Sequence, residues 1–185
     1  MKHSFVVYLL LTAVLLWGCK RYPSGGKPSM PEQYATAYQE IYGHCYDSID
    51  FPVVALDLYG EGLYLTNERR MAGTGYNLYL SDIFVPDSLL AAGEYTTLSP
   101  ATDTPAPFTF LPGHDWEGTP TGIYLLYVEE GVLQSIQLID SGRMVVKAAE
   151  EDYADIDFTF YYRDIYGYKS TYNTSFKGTL LPVKK

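Results

Sequence analysis

The richest local set of chemical groups is Pro112-Gly113-His114-Asp115-Trp116-Glu117-Gly118. It places a titratable ring, two carboxylates and an indole in one stretch bounded by turn formers. A loop of this kind, carried on a rigid sheet, suits ligand binding. Trp116 offers a face for stacking on a sugar ring, and His114 offers a second ring with hydrogen-bonding nitrogens. Asp115 and Glu117 accept hydrogen bonds from hydroxyls. The same residues also suit a plain polar loop whose Trp packs over one end of a β-structure.

Catalytic chemistry has less to work with. No Gly-x-Ser-x-Gly elbow is present to activate a serine. His44 and His114 are the only bases outside the N-terminal segment that titrate near neutral pH. No His pair has metal-ligand spacing, so neither metal nor cofactor is expected. Carboxylates are numerous, which keeps a carboxylate-dependent hydrolase open by residue type, but no pair stands out. The densest acidic stretch, Glu150-Glu151-Asp152 with Asp155 and Asp157 beyond it, lacks the order of a calcium loop and reads as a solvated hairpin. Cys45 reads as a small buried residue. Its neighbour His44 points the other way on an extended chain, which leaves no Cys–His pair. The expectation is a protein without a catalytic residue.

The aromatic content is the unusual quantity. Nineteen of the 185 residues are Tyr. Tyr combines area for burial with a hydroxyl that needs a partner. Such rings form cross-strand pairs inside a sheet, or a stacking surface on it for glycan or protein. A formal charge of −9 argues against a nucleic-acid partner, since little here would displace phosphate counterions. A hydrophobic fraction of 47% argues against a disordered chain.

The elements that must position these groups read as strands. Apolar and β-branched runs occupy residues 53–59, 62–66, 76–85, 93–98, 108–111, 122–129, 132–139, 144–148, 153–162 and 171–181. About ten strands at regular spacing predict an all-β domain, a single antiparallel β-barrel of lipocalin type or a β-sandwich. Residues 155–161 alternate strictly, with Ile156, Phe158 and Phe160 on one face. Hairpin turns are expected at Tyr59-Gly60-Glu61-Gly62, Glu129-Glu130-Gly131, Asp140-Ser141-Gly142 and Asp164-Ile165-Tyr166-Gly167. Residues 31–43 have helical spacing of Tyr34, Tyr38, Ile41 and Tyr42 but strand-like composition, with the balance toward a strand over 37–44. One helical turn is allowed at 88–92.

The N-terminus is an address. Lys2 and His3 precede an uncharged run from Phe5 to Trp17, too short for a comfortable membrane span and right for a secretory signal. It ends Leu15-Leu16-Trp17-Gly18-Cys19, which resembles the lipobox of bacterial lipoproteins, with Trp17 bulkier than the residue usual there. The resemblance implies cleavage after residue 18 and acylation of Cys19, and hence a membrane partner held through lipid. Cleavage would take the formal charge from −9 to −10, because Lys2 is the only charged residue removed. Residues 19–31 are rich in Pro, Gly and Ser and read as a flexible tether. Residues 32–185 are left for one β-domain.

Several stretches resemble small uncharacterised lipoproteins of Bacteroides-type bacteria. They include Ile41-Tyr42-Gly43, Ala92-Gly93-Glu94-Tyr95-Thr96, Phe108-Thr109-Phe110-Leu111-Pro112-Gly113, Ser141-Gly142-Arg143-Met144-Val145-Val146 and Phe176-Lys177-Gly178-Thr179-Leu180. The resemblance implies a lipocalin-like or sandwich domain lipid-anchored to the outer membrane, with no agreed activity. Lys20-Arg21-Tyr22-Pro23 departs from the acidic run that directs such proteins outward, which leaves the periplasmic and surface faces both open. The same resemblance makes Ser48 (Asp47-Ser48-Ile49) and Ser88 (Asp87-Ser88-Leu89) O-glycosylation positions. The functional expectation is a non-catalytic envelope lipoprotein that binds a glycan, a small apolar ligand or a protein partner. The alternative is a structural or assembly subunit of an envelope complex.

Overall fold

A computed structural model describes residues 29–47, 49–99, 103–164 and 166–183. Cys19, the signal and most of the tether lie outside the described residues, as does Ser48. The strands are β1 (Gln33–Tyr34), β2 (Thr36–Gly43), β3 (Val53–Tyr59), β4 (Leu63–Leu65), β5 (Met71–Gly73), β6 (Gly75–Phe84), β7 (Gly93–Thr97) and β8 (Thr109–Phe110). They continue with β9 (His114–Trp116), β10 (Thr119–Thr121), β11 (Ile123–Glu129), β12 (Val132–Leu138), β13 (Ser141–Glu150), β14 (Tyr153–Arg163) and β15 (Lys169–Pro182). The described residues contain no helix, so the all-β expectation stands. Residues 36–43 are strand, and 88–92 hold bends rather than a helical turn.

Hydrogen-bonded neighbours run β6-β3-β2-β15-β14-β13-β7-β8 and return to β6, closing a barrel of eight strands. The edge of β6 is shared. Its first part pairs with β11 and its last two residues pair with β8. Strand β12 follows β11, so the two form a wing beside the barrel.

Strand β14 shows why this sequence builds a wall. Its alternation puts Ile156, Phe158 and Phe160 into the core, while Asp155, Asp157 and Thr159 face out. An eight-stranded barrel is just wide enough to be filled by its own side chains. Tyr34, Tyr76, Tyr95, Phe110, Phe158, Phe160, Tyr172 and Phe176 do so together with Val, Leu and Ile from β3, β6, β11, β13, β14 and β15. The hydroxyl of Tyr172 satisfies itself on the carbonyl of Pro31 (2.8 Å) and the hydroxyl of Tyr34 (3.0 Å), tying the start of the domain to the last strand. On the outside of β13, β14 and β15, Lys147 bridges Asp157 (2.7 Å) and Lys177 bridges Asp155 (2.9 Å). Lys177 beside it holds the Asp155 carboxyl below its usual range. An apolar interior with a charged outer wall is the reverse of a barrel whose wall faces lipid.

Three sequence expectations are corrected. The pairing is not all antiparallel, since β15 runs parallel to β1 and β2, and β7 parallel to β8. Strands β2 and β15 come from opposite ends of the chain, so no tight turn forces them to alternate. Asp140-Ser141-Gly142 is not a hairpin turn. Strand β12 ends on the wing, and Asp140 N–H already bonds Tyr161 O on the barrel wall (2.9 Å). Tyr59-Gly60-Glu61-Gly62 does not join paired strands either. The chain leaves the barrel there and folds back as the separate hairpin β4–β5. The turns at Glu130-Gly131 (φ 51° and 77°) and before Gly167 (φ 83°) do close hairpins, as expected.

Candidate functional site

Strand β3 is buried on both faces, which a simple barrel wall would not require. Its inward residues Val54, Leu56 and Leu58 belong to the main core. Its outward Tyr59 belongs to a second cluster with Leu63, Leu126 and Val128, against which Tyr38, Leu65, Met71 and Tyr124 pack. The cover is the β4–β5 hairpin, an arm laid over the outside of β3, β6 and β11. The root of the arm is tied to the wing by Gly131 N–H to Gly73 O (2.8 Å) and Glu130 N–H to Thr74 Oγ1 (2.9 Å). Gly73 has φ 87°, and a Cβ there would run into the carbonyl oxygen of Gly62, so this crossing needs glycine.

Beside the arm the outer face stays half open, and the strand registers put one row of residues across it. Leu138 of β12 lies opposite Tyr124 of β11, Tyr124 opposite Tyr79 of β6, and Tyr79 opposite Asp57 of β3. Asp57 lies opposite Tyr38 of β2, and Tyr38 opposite Leu181 of β15. The Tyr79 and Tyr124 rings are 5.2 Å apart at 33°, and Tyr38 meets Tyr59 edge-on at 5.7 Å.

A groove of about 310 Å³ opens on this row, lined by Glu40, Asp57, Tyr59, Tyr79 and, from the arm, Leu65 and Arg69. It continues into a space of about 400 Å³ past Tyr38, Leu181 and Pro182, with Leu65, Arg69 and Val183 common to both.

Asp57 is the centre of this surface. One carboxylate oxygen accepts from the Tyr59 hydroxyl (2.6 Å) and the other from the Asn77 amide (2.5 Å). Burial raises its pKa, against the lowering effect of those two bonds, and the Glu40 charge adds to the rise. Glu40 accepts from Tyr42 (3.2 Å), whose hydroxyl lies 3.0 Å from that of Tyr79. Burial also raises the hydroxyl pKa values, Tyr124 to about 12 and Tyr59 and Tyr79 further. The hydroxyls are therefore protonated donors at physiological pH. Arg69, at the tip of the arm with φ 60°, is an exposed cation at the rim. The set offers stacking rings, fixed acceptors and donors of both kinds. Although Glu40 and Asp57 share a groove, both oxygens of Asp57 are engaged by the protein's own donors, so it serves as an anchored acceptor.

The sequence-predicted loop is elsewhere. His114, Asp115 and Trp116 form β9 of a small hairpin with β10, turned through Glu117 (φ 51°) and Gly118. Asp115 accepts from Gly118 N–H (2.8 Å), so its carboxylate serves the turn. His114 and Trp116 share one face, their rings 6.5 Å apart, and Trp116 is 66% exposed rather than packed over a barrel end. The hairpin stands beside the wing, where Asp115, Gly118 and Pro120 line a space of about 170 Å³ together with Ile136 and Leu138. It therefore borders the Leu138 end of the row without joining it.

Ser88 is exposed in an open segment, its hydroxyl and N–H both directed to Asp87 Oδ1. Cys45 is exposed, which corrects the buried expectation. Strand β2 has ended before it, so no sheet closes over the thiol. Among the described residues no group of three or more His, Cys, Asp or Glu could hold a metal ion.

The row itself was not legible as a site. In the sequence Asp57 shows only as a charge inside the apolar run 53–59, and Tyr38, Tyr79 and Tyr124 only as part of an excess of rings. No protein-family model, curated protein or solved structure matches the chain.

Proposed function

We propose that this protein is a non-catalytic lipoprotein, anchored to the outer membrane through Cys19, that binds carbohydrate on the tyrosine-lined outer face. The observation that supports it is the half-open row of Tyr38, Asp57, Tyr79 and Tyr124 beside a groove, with hydroxyl donors and an anchored carboxylate between the rings. Sugars present apolar C–H faces and hydroxyl edges, and Tyr meets both. A barrel interior filled by its own side chains gives less support to a small apolar ligand held inside. The test is calorimetric titration of the folded protein with a panel of soluble glycans. Binding that Tyr79→Ala abolishes while the melting temperature holds is the expected result. No binding across the panel overturns the reading, and cleavage of any glycan during the titration overturns its non-catalytic part.

A second reading, as an assembly subunit, draws on strand β12. Among the described strands it ends the path of the sheet, it carries no charged or Pro residue, and Val132, Leu133 and Ile136 on it are exposed. Such an edge accepts an added strand. Replacing the exposed Leu133 by Lys, which puts a charge on this edge, should weaken any such association and leave glycan binding intact.

A further inference from the structure

We infer that the ligand is an unbranched carbohydrate chain lying across the strands, bound along its length rather than by one end. The inference rests on the carbohydrate reading above and adds the ligand's shape and direction.

The register carries it. Leu138, Tyr124, Tyr79, Asp57, Tyr38 and Leu181 come from six successive strands, each directly opposite the next. Neighbouring strands lie about 4.8 Å apart, so Tyr124 to Tyr38 covers about 15 Å counted from strand to strand around the wall. One strand spacing is close to the length of one pyranose unit in a chain. A chain laid along the row therefore meets a ring or a carboxylate at each unit.

The walls agree with this direction. The next row toward the arm, with Tyr59, Asn77 and Leu126, is buried beneath β4–β5. On the other side Glu40 and Tyr42 rise from β2, joined to Tyr79 through the Tyr42 hydroxyl. Between these walls the open space runs transverse to the strands from Tyr79 and Asp57 past Tyr38 to Leu181, and the register carries the row on to Tyr124 and Leu138. The row itself ends on the apolar side chains of Leu138 at the wing and Leu181 at the barrel, with Asp115 beside the first and Arg69 beside the second. The groove runs on past Tyr38 toward Leu181 instead of ending at Asp57. A pocket built for a chain end would be closed at one side.

The experiment is a length series. Linear gluco-, xylo- and N-acetylglucosamine oligomers of one to six units are titrated into the lipid-free protein, and the matching polysaccharides are used in affinity electrophoresis. Affinity should climb with each unit to about four and then level. Tyr124→Ala, at one end of the row, should cost about tenfold for the tetramer and nothing for the shortest oligomer that binds. Tyr124→Leu, which keeps the apolar contact under the arm, should show the same loss if the alanine variant folds poorly. Equal affinity for one and six units, with Tyr79→Ala still abolishing binding, overturns the extended chain and leaves a single-sugar site. Absence of binding to every oligomer and polysaccharide overturns the carbohydrate reading with it.

Discussion

At the scale of single residues, Asp57 couples site and stability. Burial raises its folded pKa above the value of about 3.9 for an unfolded Asp. The folded state then binds the proton more tightly than the unfolded state, so ionisation costs stability. That cost is absent below pH 4, grows as pH rises through the unfolded and then the folded pKa, and is constant above. The melting temperature of the protein should therefore fall, relative to Asp57→Asn, between about pH 4 and neutrality. A difference that does not change over this range would show Asp57 to be solvated. Cys45 gives a separate check. It is exposed, yet partial desolvation and the charge of Asp82 raise its pKa above the usual thiol range. A thiol reagent should label it without denaturant, slowly at pH 7 and much faster above pH 9, because the thiolate is the reacting form. Labelling only after unfolding would contradict the exposed placement. Neither property was visible in the sequence. Asp57 sits in an apolar run, and a lone Cys next to a His carries no sign of which side the fold will cover.

At the scale of elements, the strands were legible and their partners were not. Residues 53–59, 122–129, 132–139 and 153–162 announce themselves by β-branched and aromatic runs, and β3, β11, β12 and β14 follow them within a residue or so. Periodicity reports which face of a strand is buried, but it is silent on the neighbour. Hence Asp140-Ser141-Gly142 read as a hairpin turn although β12 and β13 belong to different walls, and Tyr59-Gly60-Glu61-Gly62 read as one although β4 pairs with β5. The arm matters because it makes one wall of the groove and contributes Leu65 and Arg69. Its root depends on Gly73, where φ is positive and a Cβ has no room. Gly73→Ala should destabilise the protein by more than about 1 kcal/mol. It should also reduce ligand affinity in conditions where the barrel remains folded, as read by calorimetry beside far-ultraviolet circular dichroism. Full affinity in a folded variant would mean that the arm is a cover for Tyr59 and Leu126 alone.

At the scale of the whole molecule, the barrel closes where its first long strand meets its last, Ala37 of β2 beside Leu180 of β15. No local pattern announces that pairing, which is why barrel and sandwich were indistinguishable from the sequence while the all-β class was plain. The closure also fixes where the tether leaves. Pro31 is held by the Tyr172 hydroxyl, and Met30 packs on the core. The Pro31 ring lies against Gly60, three residues beyond the point where the row crosses β3 at Asp57. An anchor at Cys19 would therefore hold the domain from one place. The anchor and the fold are then separable, because the main core takes its residues from Tyr34 to Leu180 and, among the described residues, the tether side adds only Met30 and the Pro31 carbonyl to it. Cys19→Ala should move the protein from the membrane to the soluble fraction, since an acyl chain contributes about 0.8 kcal/mol per buried CH₂ and nothing else in the reading attaches it. The melting temperature of the released protein should equal that of the detergent-solubilised lipidated form. Membrane attachment that survives the substitution would refute the lipid anchor, and a lowered melting temperature would refute the separation of anchor from fold.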